Sequence, residues 1–74
     1  MSRIESKNLT SREVEVIRLI ALGLTNNEIA DRLFITRHTV KAHLENIYRK
    51  LSLKNKVQVA IYAVKHNLID LDTL

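Results

Sequence analysis

The 74-residue sequence predicts an all-α domain built from four helices. Three observations support this prediction. At three places a threonine or asparagine stands three residues before a glutamate or glutamine, which is the spacing of a helix-capping motif. Apolar residues after each of these places recur at steps of three and four. The composition, with one glycine, no proline and 46% apolar residues, favours helices over strands and turns.

The first helix is predicted to begin after Thr10, whose spacing to Glu13 is that of a capping box. Leu9 precedes the cap and is placed to pack on the first turn. Gly23 is placed to end the helix, because glycine readily adopts the left-handed conformation found there. The predicted core residues of this helix are Val16, Ile17, Ile20 and Leu24.

The second helix repeats this start signal, because Thr25 and Glu28 again have the capping-box spacing. Its short apolar stripe consists of Ile29, Ala30 and Leu33. Phe34 and Ile35 then interrupt the helical pattern. We expect these two apolar side chains to pack between the second helix and the third.

The third helix, at about 37–51, begins after the N-cap residue Thr36 and has the most regular pattern of the chain. Its predicted core residues are Val40, Leu44, Ile47 and Leu51. The fourth helix, at about 56–67, is capped by Asn55, with Gln58 in the third helical position. Its predicted core stripe is Val57, Ala60, Ile61, Val64 and Leu68.

A short helix joined to a longer one by a turn of a few residues describes a helix-turn-helix. The second and third helices have this arrangement, so the predicted fold is a four-helix bundle that contains a helix-turn-helix. In this motif the second of the two helices enters the major groove of duplex DNA. The predicted domain covers residues 9–69, with a flexible arm or linker stub at 1–8 and an acidic tail at 70–74.

The charge distribution agrees with a polyanionic partner. The chain carries a net charge of +4. Between Arg32 and Lys56 there are seven basic residues and one acidic residue, so the excess of positive charge is concentrated around the predicted third helix. With no cysteine and three scattered histidines, neither a disulfide, a metal site nor a cofactor is expected. We expect a cytoplasmic protein without a membrane partner, because no signal peptide or membrane-spanning stretch is evident.

The face of the third helix opposite its core stripe carries the candidate base contacts, which are His38, Lys41, Ala42 and Glu45. Lys41 lies one turn into the helix, where a lysine can donate to guanine O6 and N7. Ala42 lets the helix approach closely and can contact a thymine methyl group. Glu45 has three interpretations: it pairs with Arg49 one turn later, it selects bases by accepting from cytosine N4, or it excludes DNA sites by repelling phosphate.

Backbone contacts are expected where the second and third helices begin, because the free N–H groups of a helix N-terminus bind phosphate oxygens. Basic residues near the end of the third helix extend this surface. The candidate phosphate contacts are Thr25, Asn27, Thr36, Arg37, Thr39, His43, Arg49 and Lys50. His43 is expected to be half-buried.

The fourth helix has a second apolar face, opposite its predicted core stripe. This face is predicted to be a dimer interface formed by Val59, Tyr62, Ala63 and His66. We expect a homodimer on DNA, because a single helix in the major groove contacts few bases.

Several segments resemble the LuxR/NarL/GerE-type helix-turn-helix domain. These are Leu9-Thr10 with Arg12-Glu13, Ala21 with Gly23, Asn27-Glu28-Ile29-Ala30, Leu33 with Ile35, Thr39-Val40-Lys41 with His43, and Asn46-Ile47 with Lys50-Leu51. The resemblance covers roughly residues 9–68. It implies a winged-helix-like effector domain without a wing, which binds pseudo-palindromic DNA as a dimer through its fourth helix.

By position, the resemblance places Lys41, Ala42 and Glu45 among base-contacting residues. Glu45 departs from the lysine that some members have there, so the preferred DNA site does not transfer. The family architecture favours the effector domain of a two-component response regulator. A free-standing small regulator is the alternative.

A catalytic function and a protein-binding function are the alternatives to DNA binding. No catalytic arrangement of side chains is apparent on one face, so an enzyme is not expected. A helical adaptor whose basic face binds an acidic protein is the alternative of another class. RNA polymerase is a further candidate partner of a transcription regulator.

Overall fold

The computed structural model describes residues 8–69, and these residues are helical with no strand among them. The four helices are α1 (Ser11–Ala21), α2 (Asn26–Leu33), α3 (Arg37–Leu51) and α4 (Lys56–Lys65). The all-α prediction is therefore confirmed. The predicted tail at 70–74 and the first seven residues of the predicted arm lie outside the described residues.

Both predicted capping boxes are formed. At α1 the Glu13 N–H donates to Thr10 Oγ1 at 3.1 Å, and the Thr10 N–H donates to Glu13 Oε1 at 3.0 Å. At α2 Thr25 and Glu28 make the same reciprocal bonds at 3.1 and 2.8 Å. Each box satisfies N–H groups that the first turn of a helix leaves unpaired. Local sequence thus fixes where these two helices begin.

Gly23 follows the end of α1 with φ +93°, as predicted for a residue that terminates a helix. Its N–H donates to the Ile20 carbonyl at 2.9 Å, and the Leu24 N–H reaches back to Leu19 at 3.1 Å. These bonds pair carbonyl groups that the last turn would otherwise leave unsatisfied. The tight reversal leads directly into the capping box of α2.

The turn between α2 and α3 differs from the prediction at Phe34. This residue ends α2 in the left-handed conformation, with φ 58° and ψ 42°, and its side chain is 93% exposed. The Ile35 N–H can then donate to the Ala30 carbonyl at 3.0 Å, and Ile35 packs against the core. Of the two side chains that were predicted to pack between α2 and α3, only Ile35 packs against the core. The reversal at Phe34 leaves its ring in solvent.

The core prediction for α3 is confirmed at every position, since Val40, Leu44, Ile47 and Leu51 are all buried. The Thr36 hydroxyl caps this helix by accepting from the Thr39 N–H at 3.0 Å. Ser52 ends it in the left-handed conformation with φ 56°.

The buried face of α4 is rotated from the predicted one: of the predicted core stripe, Ala60 and Leu68 are partly buried and pack against the core. Val59 and Ala63 are fully buried, whereas Val57, Ile61 and Val64 are 68%, 53% and 49% exposed. Both faces of this helix are apolar, so the spacing of its apolar residues does not determine which face is buried. Packing against α1 selects the face that presents Val59 and, one turn later, the small side chain of Ala63.

The helices pack around α1, which contacts α2, α3 and α4. The α2–α3 pair forms the helix-turn-helix. The core combines buried residues of all four helices: Val16, Ile17, Ile20, Ile29, Ala30, Val40, Leu44, Ile47, Leu51, Val59 and Ala63. This core holds α3 by one face and leaves the opposite face in solvent.

Candidate nucleic-acid interface

The exposed face of α3 carries the predicted base contacts together. His38, Lys41, Ala42, Glu45 and Arg49 are all exposed, and successive members are separated by three or four residues or adjoin each other. They therefore form one stripe along the helix. The 15 residues of α3 extend over about 22 Å, enough for the first half to contact bases while the second half passes the phosphates. We call this set of five residues the reading stripe.

The start of α3 lies beside the start of α2. Arg37 Nη1 donates to Asn27 Oδ1 at 3.4 Å, which joins the first turns of the two helices. The Thr36 and Thr39 hydroxyl oxygens are 3.0 Å apart and share a hydrogen bond. Two helix N-termini, each with unpaired N–H groups and partial positive charge, thus adjoin each other. Helix N-termini of this kind are favourable sites for phosphate oxygens.

Arg49 is held by Asn46 and not by Glu45. Its Nη1 donates to Asn46 Oδ1 at 3.0 Å, and Glu45 belongs to none of the ion pairs formed within residues 8–69. The interpretation of Glu45 as the partner of Arg49 is therefore wrong. The Glu45 carboxylate remains exposed on the reading stripe, and Arg49 is oriented by Asn46, a partner that the sequence analysis did not identify.

Lys50 was predicted to contact phosphate, but the structure uses its ammonium group internally. Lys50 Nζ lies 2.8 and 3.1 Å from the two carboxylate oxygens of Glu13 and 3.1 Å from the Asn8 carbonyl. An ammonium has three hydrogens to donate, and these three acceptors account for all of them. We therefore remove Lys50 from the candidate phosphate contacts.

Glu13 is the partner that the sequence analysis missed. It is 3% exposed, the one buried charged residue within 8–69. Burial alone raises the pKa of this carboxyl group, but hydrogen bonds from Lys50 and the Thr10 N–H, with the charges of Lys50 and His43, give a net lowering. Its position could have indicated this, because Glu13 shares a helical face with the core residues Val16, Ile17 and Ile20. The Glu13–Lys50 pair fastens the start of α1 to the end of α3.

His43 is half-buried, as predicted. Its charge contributes to the lowered pKa of Glu13, so it lies on the side of α3 that faces the ion pair. It is therefore set apart from the fully exposed reading stripe.

The predicted dimer surface needs correction at two of its four residues. Val59 and Ala63 are fully buried within the chain and cannot contribute to an interface. Tyr62 is half-buried and packs against the core. Its ring stacks on exposed His66 with centroids 4.1 Å apart and an interplanar angle of 25°. The physical reason is the rotation of α4 described above, which turns Val59 and Ala63 towards α1.

The exposed apolar residues of α4 are instead Val57, Ile61 and Val64, at steps of four and three. Beside them a shallow groove is lined by Leu53, Gln58, Ile61, Tyr62, Lys65 and His66. We call Val57, Ile61 and Val64 the outer apolar face of α4. Within residues 8–69, no helix has the length and apolar content needed to cross a membrane.

A family model described as "Bacterial regulatory proteins, luxR family" matches residues 7–63. The chain belongs to the LuxR family of bacterial regulatory proteins. The transcriptional regulatory protein LiaR of Bacillus subtilis (strain 168) is 47% identical over 64 residues, which cover 86% of this chain and 30% of LiaR. The response regulator protein VraR of Staphylococcus aureus is 51% identical over 61 residues, covering 82% of this chain and 29% of VraR.

A solved structure of the response regulator ChrA, from a heme-sensing two-component system, superposes on this LuxR-family chain with a TM-score of 0.77 and 36% identity. The match covers 93% of this chain and 33% of ChrA. The chain thus spans about 30% of the length of the relatives that it matches. Together these relatives identify it as a LuxR-family helix-turn-helix domain of DNA-binding transcription regulators.

Proposed function

We propose that this chain binds a specific sequence of double-stranded DNA and does so by inserting α3 into the major groove. The observation that carries the proposal is the reading stripe, a row of exposed side chains opposite four buried core residues. Lys41 donates to guanine, Ala42 contacts a thymine methyl group, and His38 contacts a neighbouring base edge. Glu45, free of the predicted ion pair, accepts from cytosine N4.

The phosphate contacts position the stripe in the groove. The first turns of α2 and α3 supply Thr25, Asn27, Thr36, Arg37 and Thr39, and the Arg37–Asn27 hydrogen bond supports their joint placement. Arg49, held by Asn46, meets the backbone farther along α3. His43 contributes a contact at the edge of the stripe. Contacts of this kind fix the register of the protein without selecting bases.

The protein binds as a homodimer on a pseudo-palindromic site. The outer apolar face of α4 is the surface through which two copies associate, with Tyr62 and His66 beside it. Three apolar side chains between about half and two thirds exposed support this assignment. Pairing them removes apolar area from water and sets the spacing of the two recognition helices.

The chain is the effector domain of a cytoplasmic response regulator of a two-component system. LiaR, VraR and ChrA are each nearly three times its length, and the last two are named as response regulators. A free-standing regulator of the same fold is the alternative. In either architecture, RNA polymerase is the partner of the regulator in transcription.

Selection of bound duplexes from a random pool tests the proposed function, followed by footprinting of the selected site. The expected result is an inverted repeat, protected in two adjacent major grooves. Competition with a scrambled duplex of the same length and composition is the matched control. Equal retention of the selected and scrambled duplexes would refute sequence-specific binding and favour the adaptor that binds an acidic partner.

A further inference from the structure

The helix that is proposed to read DNA and the helix that is proposed to form the dimer are different elements, α3 and α4. The distance between the two recognition helices of a dimer therefore depends on how α4 is held relative to α3 within each chain. Within residues 8–69, α4 packs chiefly against α1, and α1 in turn contacts α3. The orientation of α4 relative to α3 is thus fixed largely through α1.

The start of α4 is held close to the end of α3 by a short connection. Ser52 ends α3 in the left-handed conformation, and the Leu53 N–H donates to the Tyr48 carbonyl at 2.9 Å. The Lys54 N–H donates to Gln58 Oε1 at 2.7 Å, so the connection is bonded to the helices on both sides of it. One end of α4 therefore has a fixed position beside the recognition helix. The direction of α4 then depends on where its other end lies.

The other end of α4 is bonded to α1 by Arg18. Asn67 follows the helix in the left-handed conformation, with φ 57°, and the Leu68 N–H donates to the Ala63 carbonyl at 2.8 Å. Because this bond closes the end of the helix, Leu68 has a fixed position relative to α4. Arg18 Nε donates to the Leu68 carbonyl at 2.8 Å, across 50 residues of sequence.

Apolar packing alone defines the direction of α4 less sharply than such a bond. The inner face of α4 presents Val59 and the small side chain of Ala63, and its outer face is apolar as well. The hydrophobic effect is non-directional, so it favours burial of a face without selecting the angle at which the helix lies. A hydrogen bond from a guanidinium group to a carbonyl weakens steeply when its distance or angle changes. The Arg18 bond therefore adds a directional contact to the apolar one.

Arg18 belongs to neither of the two proposed interfaces. Its side chain is exposed on α1, and it is part of neither the reading stripe, the proposed phosphate contacts nor the outer apolar face of α4. Its hydrogen bond is also exposed and competes with water, so its loss is expected to cost the fold little stability. An effect of Arg18 on the geometry of the dimer can therefore be measured separately from DNA contact and from folding.

We propose that Arg18 is a positioning residue: by fixing the direction of α4, it sets the spacing between the two half-sites of the DNA, each read by one α3. This inference rests on the proposed function, a homodimer that associates through α4. Because a two-fold axis relates the chains, both of them make any tilt of α4, and the separation of the recognition helices changes twice. One base-pair step of DNA is about 3.4 Å, so a small tilt misplaces a recognition helix.

The test compares duplexes in which the two half-sites have their selected spacing, one base pair more or one base pair less. A duplex with a single half-site measures the binding of one chain. Arg18→Met removes the donor and keeps a long unbranched side chain, whereas Arg18→Lys keeps a cationic donor. Arg12→Met is the matched control, because it removes the same charge from the opposite end of α1. Circular dichroism checks that each variant stays helical.

We expect Arg18→Met to bind the single half-site within about twofold of the unaltered chain, while its preference for the selected spacing falls by about threefold or more. Arg18→Lys should keep part of that preference, and Arg12→Met should keep all of it. Rescue by lysine would show that the donor matters, beyond the bulk of the side chain.

Two results would overturn the proposal. One is an unchanged spacing preference in Arg18→Met. The other is an equal loss of affinity on the single half-site and on every spacing, which would identify Arg18 as a phosphate contact. The proposed function fails in a different way: an unaltered chain that selects no inverted repeat would refute the homodimer itself, whatever the variants do.

Discussion

The side chains of the reading stripe lie in solvent on a helix whose other face is fully packed. Substituting one of them removes no core contact, so its effect reports on recognition and not on folding. Glu13 and Lys50 are the opposite case, because their charges are joined inside the domain and have no free donor for a ligand. The two kinds of residue therefore call for different measurements.

We expect Lys41→Ala to weaken binding to the selected site by about 1–3 kcal/mol and to relax the preference at one base pair. The reason is the loss of a donor to guanine O6 and N7. Titration of the cognate duplex and of a set with single base-pair changes measures both effects. Lys65→Ala, at the far end of α4, is the matched control. Equal weakening on all duplexes would identify Lys41 as a phosphate contact.

We expect Glu13→Gln to lower the free energy of unfolding by about 1–3 kcal/mol at pH 7, because it replaces a charged hydrogen-bond acceptor of Lys50 with a neutral one. The folded-state pKa of Glu13 lies below its ordinary value of 4.5. The ion pair therefore contributes stability above that pH and loses it as pH falls through the folded pKa.

Urea unfolding between neutral pH and pH 3 checks this linkage. The unaltered chain should lose stability more steeply than Glu13→Gln once the pH falls below the ordinary carboxyl value. Glu28→Gln is the matched control, since Glu28 occupies the same capping position on α2 but is exposed and unpaired with lysine. Parallel curves for the Glu13 variant and the unaltered chain would contradict the stabilising role of the pair.

At the scale of the helices, α4 has two apolar faces with different surroundings. Its inner face, with Val59 and Ala63, packs against α1, and its outer apolar face remains in solvent. A helix that is apolar all round is normally buried on both sides. In the proposed homodimer, a second copy buries the outer side.

We expect Ile61→Glu to abolish dimerisation and cooperative DNA binding while the chain stays helical, because a carboxylate would be buried at the centre of the interface. Sedimentation velocity measures the association state, and circular dichroism checks the helices. Leu22→Glu places the same charge on an exposed apolar residue outside α4 and should leave the association unchanged. A dimer that persists in Ile61→Glu would rule out the outer apolar face.

At the scale of the whole molecule, positive charge is concentrated in the segment that holds the proposed DNA interface. The segment from Arg32 to Lys56 holds seven of the twelve basic residues and one of the eight acidic ones. The one acidic residue of this segment, Glu45, lies exposed on the reading stripe. The segment that holds the proposed DNA interface is therefore basic, while the rest of the chain carries more acidic than basic residues.

We expect the affinity of the dimer for its site to fall steeply with salt, with a log–log slope of about −5 to −7 if six to eight phosphates are neutralised. Arg49→Ala should reduce the magnitude of this slope by about one for each chain, since it removes one phosphate contact. Lys50→Met should leave the slope unchanged and lower stability instead, since its ammonium group is held by Glu13. Titrations of both variants with the selected duplex at several salt concentrations measure these slopes. A smaller slope for Lys50→Met would show that Lys50 contacts phosphate after all.

Much of the fold follows from signals between residues that are close in the chain. The caps at Thr10, Thr25, Thr36 and Asn55 bond to residues three positions later, so each can be predicted from a few letters of sequence. The core of α3 can be predicted just as readily, because its opposite face is polar except for Ala42. The reading stripe was predicted for the same reason: once the buried side of α3 is known, its exposed side follows from the helical period.

The tertiary structure decided what local signals leave open. Lys50 and Glu13 are 37 residues apart, so only the packing of α1 on α3 brings a lysine that looked free for phosphate to a carboxylate. The apolar residues of α4 fit either face, and the contact with α1 chose Val59 and Ala63. Helix limits and the face of an amphipathic helix are local properties of this sequence. The choice between two apolar faces, and the partner of each charge, depend on which helix packs opposite.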